Sequence, residues 1–431
     1  MPMAPRNSAR LPSPSTCNLS DMSYLRDALS ERVGEFIALR REIHQHPELA
    51  FEEHRTADLV ASKLEGWGYQ VHRGLGGTGV VGTLKRGSSK RSLGLRADMD
   101  ALPIQEANSL PWASKTPGLM HACGHDGHTA MLLAAAKALS QTDFDGTLNL
   151  IFQPAEEGGG GALRMMQDGL FEQHPCDMIF AMHNMPGTPA GQLVFRDGPM
   201  MASSDYVTIT LHGVGGHGAM PHLGCDPVVA ASSIVMALQS IVARNVDPLK
   251  SAVVTVGAFN AGQANNVIPA SAKLELSVRA LDPQVRRMLE QRIKDLVHAQ
   301  AQSYGVRAEI DWRPGYCVLV NHDAPTALAR RVGLQLRGAE GVNLNGPALT
   351  GSEDFAFMLE RVPGSYVLIG NGVSVDGQPS PSACMVHNPG YDFNDNILDV
   401  GASFWVALAQ DVLAPHSFDL SQEKAAALQT H

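Results

Sequence analysis

The stretch His121-Ala122-Cys123-Gly124-His125-Asp126-Gly127-His128 sets two soft metal ligands, Cys123 and His125, two residues apart among further histidines and an aspartate. Glycines flank His125 and Asp126, and glycine relaxes the φ/ψ limits on a turn that must aim several side chains at one point. An apolar run over residues 129–139 follows and predicts a helix, so the cluster sits in a loop entering a helix N-terminus. Thiolate and imidazole are ligands for zinc, cobalt, nickel or manganese, zinc taking them most readily. A buried cysteine among surface histidines is the competing reading, and so many ligand types inside eight residues disfavour it.

Upstream, Leu25, Leu29, Val33, Phe36 and Ile37 recur at helical spacing and predict an amphipathic helix over residues 24–43. It ends near His44-Gln45-His46-Pro47-Glu48-Leu49, where Pro47 disfavours helix at His46. A second helix is predicted over 56–64, then short strands over 69–72, 79–85 and 92–97. The last strand runs into Arg96-Ala97-Asp98-Met99-Asp100, two carboxylates at a strand end, where open sheets present ligands. Downstream of the Cys/His loop, a strand over 147–152 runs into Gln153-Pro154-Ala155-Glu156-Glu157 and four glycines. Adjacent carboxylates are expected to point to different places, one to metal and the other to substrate. An apolar strand over 177–182 ends at His183, and a polar loop from 371 to 381 leads to His387. Between these halves, strands over 205–212, 252–260, 271–281 and 306–313 alternate with helices over 227–244 and 283–303 in the order βαββαβ, the ferredoxin-like split unit.

The predicted class is therefore α/β: a catalytic domain with a mixed, mostly parallel sheet flanked by helices, and an inserted ferredoxin-like lid. The expected boundaries are a disordered tail at 1–21, catalytic segments at 22–198 and 316–413, the lid at 199–315 and a tail at 414–431. A chain of 431 residues has room for about two domains. Its 44% hydrophobic content is enough for a sizeable core. The net charge of -10 argues against nucleic acid or an anionic membrane as partner. No apolar run is expected to approach the ~18 residues of a membrane span. The six cysteines include no Cys-x-x-Cys, and the Pro/Ser/Arg-rich start lacks the apolar core of a secretory signal. Cytoplasm is the expected location.

Cys123, His125, Glu157, His183 and His387 are more donors than one tetrahedral metal needs, and they suit two ions sharing a ligand, with Glu156 free to move protons. His-Glu-x-x-His, Gly-x-Ser-x-Gly and Walker A signatures are absent.

These residues resemble the M20 metallopeptidase and amidohydrolase family, subfamily D, which includes hippurate hydrolases, N-acyl-amino-acid amidohydrolases and auxin-conjugate hydrolases. The resemblance runs in the family's order through His44–Glu48, Arg96–Pro103, His121–Thr129, Phe152–Glu157, Met182–Asn184, Gly215–His222, Asn266–Pro269, Gly351–Phe355 and His387-Asn388. It implies two divalent ions (Mn2+, Zn2+, Co2+ or Ni2+) on Cys123, His125, Glu157, His183 and His387, with Glu156 as general base. It implies that His217, in a Gly-rich loop, stabilises the tetrahedral intermediate, often in the neighbouring subunit's site. It further implies that Asn266 and Arg279 bind substrate, that Asp98 and Asp100 support the ligands, and that the lid makes a homodimer. The expected reaction is hydrolysis of an N-acyl amino acid; the alternative is a peptidase acting on short peptides with the same site. A cysteine hydrolase using Cys123 with His125 or His128 and a non-catalytic binding protein are the rival readings. No role is assigned to the His46-Pro47 neighbourhood.

Overall fold

A computed structural model of the chain describes residues 33–374 and 381–414. Both expected tails, the start of the first helix and part of the loop before His387 lie outside the described residues. The chain divides into two compact units. One runs to Asp197 and resumes over Asn321–Gly346 and from Met358; the other comprises Gly198–Val320 and Pro347–Phe357. The second unit thus begins and ends close to the expected lid but also takes in a short segment that the sequence reading assigns to the resumed catalytic part.

In the first unit, helices α1 (Val33–Gln45) and α2 (His54–Gly66) precede strands β1 (Gln70–Leu75), β2 (Gly79–Arg86) and β3 (Ser92–Asp98). Helix α3 (His125–Leu139), β4 (Gly146–Gln153), α4 (Gly161–Gln167), β5 (Met178–Pro186) and β6 (Leu193–Val194) follow. After the second unit come α5 (Asp323–Arg337), β7 (Val342–Asn343), β8 (Gly364–Gly372) and α6 (Leu398–Val412). The strands form one sheet in the order β1-β2-β4-β3-β5-β8-β6-β7. Its centre, β4-β3-β5-β8, is parallel, while β1, β2 and the β8–β6 pair are antiparallel. Four neighbouring strands therefore end on one edge, and the candidate residues follow or close those ends. β5 runs three residues past His183, so this histidine lies within the strand rather than after it.

Helix α3 explains why the Cys/His loop is held so firmly. Ala130–Ala136 are buried on every side, as expected of a helix that is apolar all round. α3 packs against β3, α1 and α6. Gly124 precedes it with φ +95°, a left-handed conformation that glycine takes without strain. His125 is thereby the first residue of the helix.

The second unit is a four-stranded antiparallel sheet in the order 252–261, 271–280, 203–212, 307–314, the ferredoxin-like arrangement. Helices Pro227–Asn245 and Pro283–Ser303 pack on it, each with Pro in its first turn and an aspartate N-cap, Asp226 and Asp282. Helix Pro227–Asn245 is long and apolar enough by composition to cross a membrane, which corrects the expectation that no run approaches that length. Here Ala230, Ala231, Ile234, Leu238 and Ile241 are buried in the unit's core, and Ser232, Gln239 and Ser240 are exposed.

Gly127, inside α3, gives a direct check on this packing. In an exposed helix Gly→Ala is stabilising by about 1 kcal/mol. A Cβ at Gly127 would lie 2.3 Å from the ring of Phe393, so Gly127→Ala is expected to destabilise by about 1–3 kcal/mol. A urea-unfolding midpoint equal to or above that of the parent would contradict this.

Candidate active site

The donor atoms of Cys123, His125 and His183 lie within 4.8 Å of one another, as do those of Cys123, Glu157 and His387. The two triads share Cys123, whose Sγ is 3.3 Å from His183 Nε2. His387 Nε2 is 3.1 Å from Glu157 Oε1, and the His387 backbone N–H donates to Ala122 O at 2.7 Å, tying a distant loop to the cysteine turn. Glu156 and Glu157 both converge on His125. This differs from the expectation that adjacent carboxylates diverge, a rule that belongs to extended strands. Here Ala155 has φ +54° and the chain turns, with Gly158 N–H donating to Glu156 O at 2.7 Å. His387, at φ +66°, is a second non-glycine residue in the left-handed region, a conformation that surrounding structure must hold in place.

Hydrogen bonds fix which ring nitrogen of each histidine is available. A carbonyl can only accept, so the 2.9 Å bond between His125 Nδ1 and Asp100 O and the 2.6 Å bond between His183 Nδ1 and Asn184 O place both ring hydrogens on Nδ1. In the neutral ring each Nε2 then carries the lone pair. That of His125 is buried with no hydrogen-bond partner among the described residues, a costly arrangement unless the lone pair serves another ligand. This orphaned atom, beside a thiol and a carboxylate, is the observation that fits the residues to a metal. His128 is different: Nδ1 lies 2.6 Å from Asp98, and Nε2 accepts from Asn184 N at 2.9 Å. It is saturated, as part of a buried chain Arg96–Asp98–His128–Asn184–Tyr391.

In the empty site burial works against charge on His125, but Asp98 and Asp100 outweigh it and raise the ring to about 10, so a cation at Nε2 would take the place of a second proton. Burial, with His128 alongside, holds His183 well below the usual range, so its ring stays neutral. Burial pushes the Cys123 thiol well up, and the nearby carboxylates of Glu157 and Glu156 push it further. Burial among carboxylates disfavours the thiolate that a cysteine nucleophile needs. A bound cation would reverse this and deprotonate the thiol.

The carboxylate of Asp100 receives the backbone N–H groups of Glu156 (3.0 Å) and Glu157 (2.9 Å). Asp98 is held well below the carboxylate range: burial opposes this, but His125, Arg96 and His128 together outweigh it. The sequence pointed to both aspartates as supports. It did not point to Asn184, Tyr391 or Glu53, whose roles depend on neighbours far away in the chain.

In the second unit, Gly216-His217 pairs with Val267-Ile268, which sets His217 and Asn266 side by side. His217 Nδ1 accepts from Ala219 N at 3.0 Å, leaving Nε2–H as a donor. Arg279 lies near the other end of strand 271–280 and bonds Ser352 Oγ at 3.0 Å. It is about eight residues, or about 27 Å, along the sheet from the His217 end.

The Peptidase family M20/M25/M40 profile matches residues 94–411. The chain is 46% identical over 376 residues to a hippurate hydrolase of Campylobacter jejuni, covering 87% of this chain and 96% of that one. It is 40% identical over 345 residues to an N-acetyl-L-cysteine deacetylase of Bacillus subtilis, covering 79% and 82%. Among solved structures, a dinuclear metal binding peptidase of the M20 family from Bacillus subtilis aligns with TM-score 0.76 at 31% identity, covering 90% of this chain and 99% of that one. The chain belongs to the M20/M25/M40 family. It is a hydrolase acting on amides.

Behind α3, Asp126 bonds His44 Nδ1 at 2.8 Å and pairs with buried Arg40. Burial opposes charge on His44, but Asp126 and Glu106 raise it from 6.5 to about 9. A raised histidine stabilises the fold fully below its unfolded value and loses that contribution as pH rises through its folded value. His44→Gln should therefore be less stable than the parent at pH 6, with the gap in Tm narrowing from about 6.5 to about 9. A gap constant with pH would contradict the charged pair.

Proposed function

We propose that the chain hydrolyses N-acyl amino acids, N-acetyl or N-benzoyl among them, using two divalent ions held by Cys123, His125, Glu157, His183 and His387. The observation that carries this reading is the pair of triads sharing Cys123 beside the buried, unpartnered Nε2 of His125. Such ions would polarise the scissile carbonyl and acidify a water. Glu156, next to the ligands and not needed to complete either triad, takes the proton as water oxygen bonds to the carbonyl carbon. It returns that proton to the nitrogen as the C–N bond breaks, giving a carboxylic acid and a free amino acid. The peptidase alternative is not favoured, since relatives at 46% and 40% identity are a hippurate hydrolase and an N-acetyl-L-cysteine deacetylase. Manganese, zinc, cobalt and nickel all suit the donor set.

We infer further that His217 donates from Nε2 to the oxyanion, that Asn266 and Arg279 hold substrate, and that the protein is a cytoplasmic homodimer. The length of sheet between His217 and Arg279 favours an arrangement in which the two ends of the unit serve different sites. Strand 252–261 is a sheet edge with Val253 and Phe259 exposed, and Met236 on helix Pro227–Asn245 is 73% exposed, so a second copy has an apolar face to cover.

Glu156→Gln is expected to lose at least ~10²-fold in kcat while keeping its metal; Glu157→Gln should instead weaken metal binding. Exchanged phenotypes would show that the two glutamates had been assigned the wrong way round. His217→Ala should lower kcat by ~10²–10³ with metal retained. Mixing it with Glu156→Gln chains should recover part of the activity if His217 acts across the dimer. An unimpaired His217→Ala enzyme would end its catalytic role.

A further inference from the structure

The segment His46-Pro47-Glu48-Leu49-Ala50-Phe51-Glu52-Glu53 holds neither a candidate metal ligand nor the general base. Its last residue stands at the N-cap position of α2, where a carboxylate ordinarily accepts from the helix's own first N–H groups. Glu53 makes no such bond. Glu48 does the capping: its Oε1 accepts from Arg55 N at 2.8 Å, and its Oε2 from Thr56 N and Thr56 Oγ1, both at 2.9 Å. The Glu53 side chain is released to turn inward, where it is fully buried.

There Oε1 accepts from Ala155 N at 2.9 Å and from Phe51 N at 3.1 Å, and Oε2 accepts from Thr78 Oγ1. Ala155 is the strained left-handed residue immediately before Glu156. Three consecutive backbone N–H groups, of Ala155, Glu156 and Glu157, thus end on two buried carboxylates, Glu53 for the first and Asp100 for the other two. The same segment fixes Asp100 as well, since Ala101 N donates to Glu48 O at 2.8 Å. Phe51, itself at φ +66°, closes the turn from outside: a Cβ on Gly159 would come within 3.1 Å of its ring.

A buried carboxylate is costly unless donors satisfy it, and here it has three. The arrangement is more than local packing: Gly161 N–H holds the Ala155 carbonyl at 3.0 Å, and Glu53 holds the N–H of the same strained residue. A left-handed alanine costs of order 1–3 kcal/mol and persists only where its surroundings over-determine it.

We propose that Glu53 is a positioning residue for the hydrolysis: through the Ala155 N–H it holds the left-handed turn that aims Glu156 at the water and Glu157 at the metal. The proposal rests on the reading of Glu156 as general base, which Glu156→Gln tests separately in the same assay.

The test uses the full-length protein with Glu53→Ala, Glu53→Gln and Thr78→Val. In Glu53→Ala, kcat at saturating Mn2+ should fall by ~10²-fold, the cost of misplacing a reacting group by about 1 Å, with KM changed much less. Calorimetric titration of the metal-stripped variant with Mn2+ alone should show affinity lowered ~10–100-fold. Glu53→Gln keeps an amide oxygen that can accept from Ala155 N and should restore most of both quantities. Thr78→Val keeps the volume and removes only the donor that orients Glu53. It should lower kcat several-fold with an unfolding midpoint lowered but still well above the assay conditions, and it decides the matter if Glu53→Ala does not fold. The proposal is overturned if Thr78→Val and Glu53→Ala, where folded, keep kcat and Mn2+ affinity within twofold of the parent. It is overturned equally if Glu53→Gln is as impaired as Glu53→Ala.

Discussion

Two backbone N–H groups, of Glu156 and Glu157, end on the two oxygens of one buried carboxylate, Asp100, whose own backbone carbonyl fixes the ring of His125. That junction ties three chain segments into one geometry: the end of β3, the turn after β4 and the first residue of α3. A hydrolytic site depends on such ties, because donors from distant segments must be held within a few ångströms of one another. The buried helix α3 and the parallel centre of the sheet supply the frame. Asp100 and Glu53 hold the turn within it, at a point where the backbone itself is strained.

The charge distribution follows the same logic. Cys123 lies among carboxylates that disfavour its thiolate, and His125 Nε2 is buried with no hydrogen-bond partner among the described residues. Both are unfavourable in the empty protein and relieved by a cation, so metal binding and the folding of this region are thermodynamically coupled. Next to them, the Arg96–Asp98–His128–Asn184 chain is satisfied without any ion and carries no open lone pair, which separates the structural histidine from the ligating ones.

Much of this was legible in the residues. Ligand types clustered in His121–His128, and apolar strands leading into Asp98, Glu157 and His183, give an α/β sheet with a site at one edge, because hydrophobic periodicity and turn glycines are local signals. The βαββαβ insertion was readable for the same reason. What was not readable depends on long-range contact. Glu52 and Glu53 are indistinguishable in sequence, yet one is exposed and the other holds a turn about a hundred residues away. The convergence of Glu156 and Glu157 required a positive φ at Ala155, a residue type that does not advertise it. Strands β6 and β7, two residues each, are too short to leave a periodic pattern.

The central claim is that these donors make an amide hydrolase only when loaded. The most direct measurement is the hydrolysis of N-benzoylglycine by chelator-stripped protein as Mn2+ is added back in known amounts. The account predicts no turnover in the stripped protein and recovery that levels off near about two equivalents per chain. Full turnover by protein shown to be metal-free would contradict it.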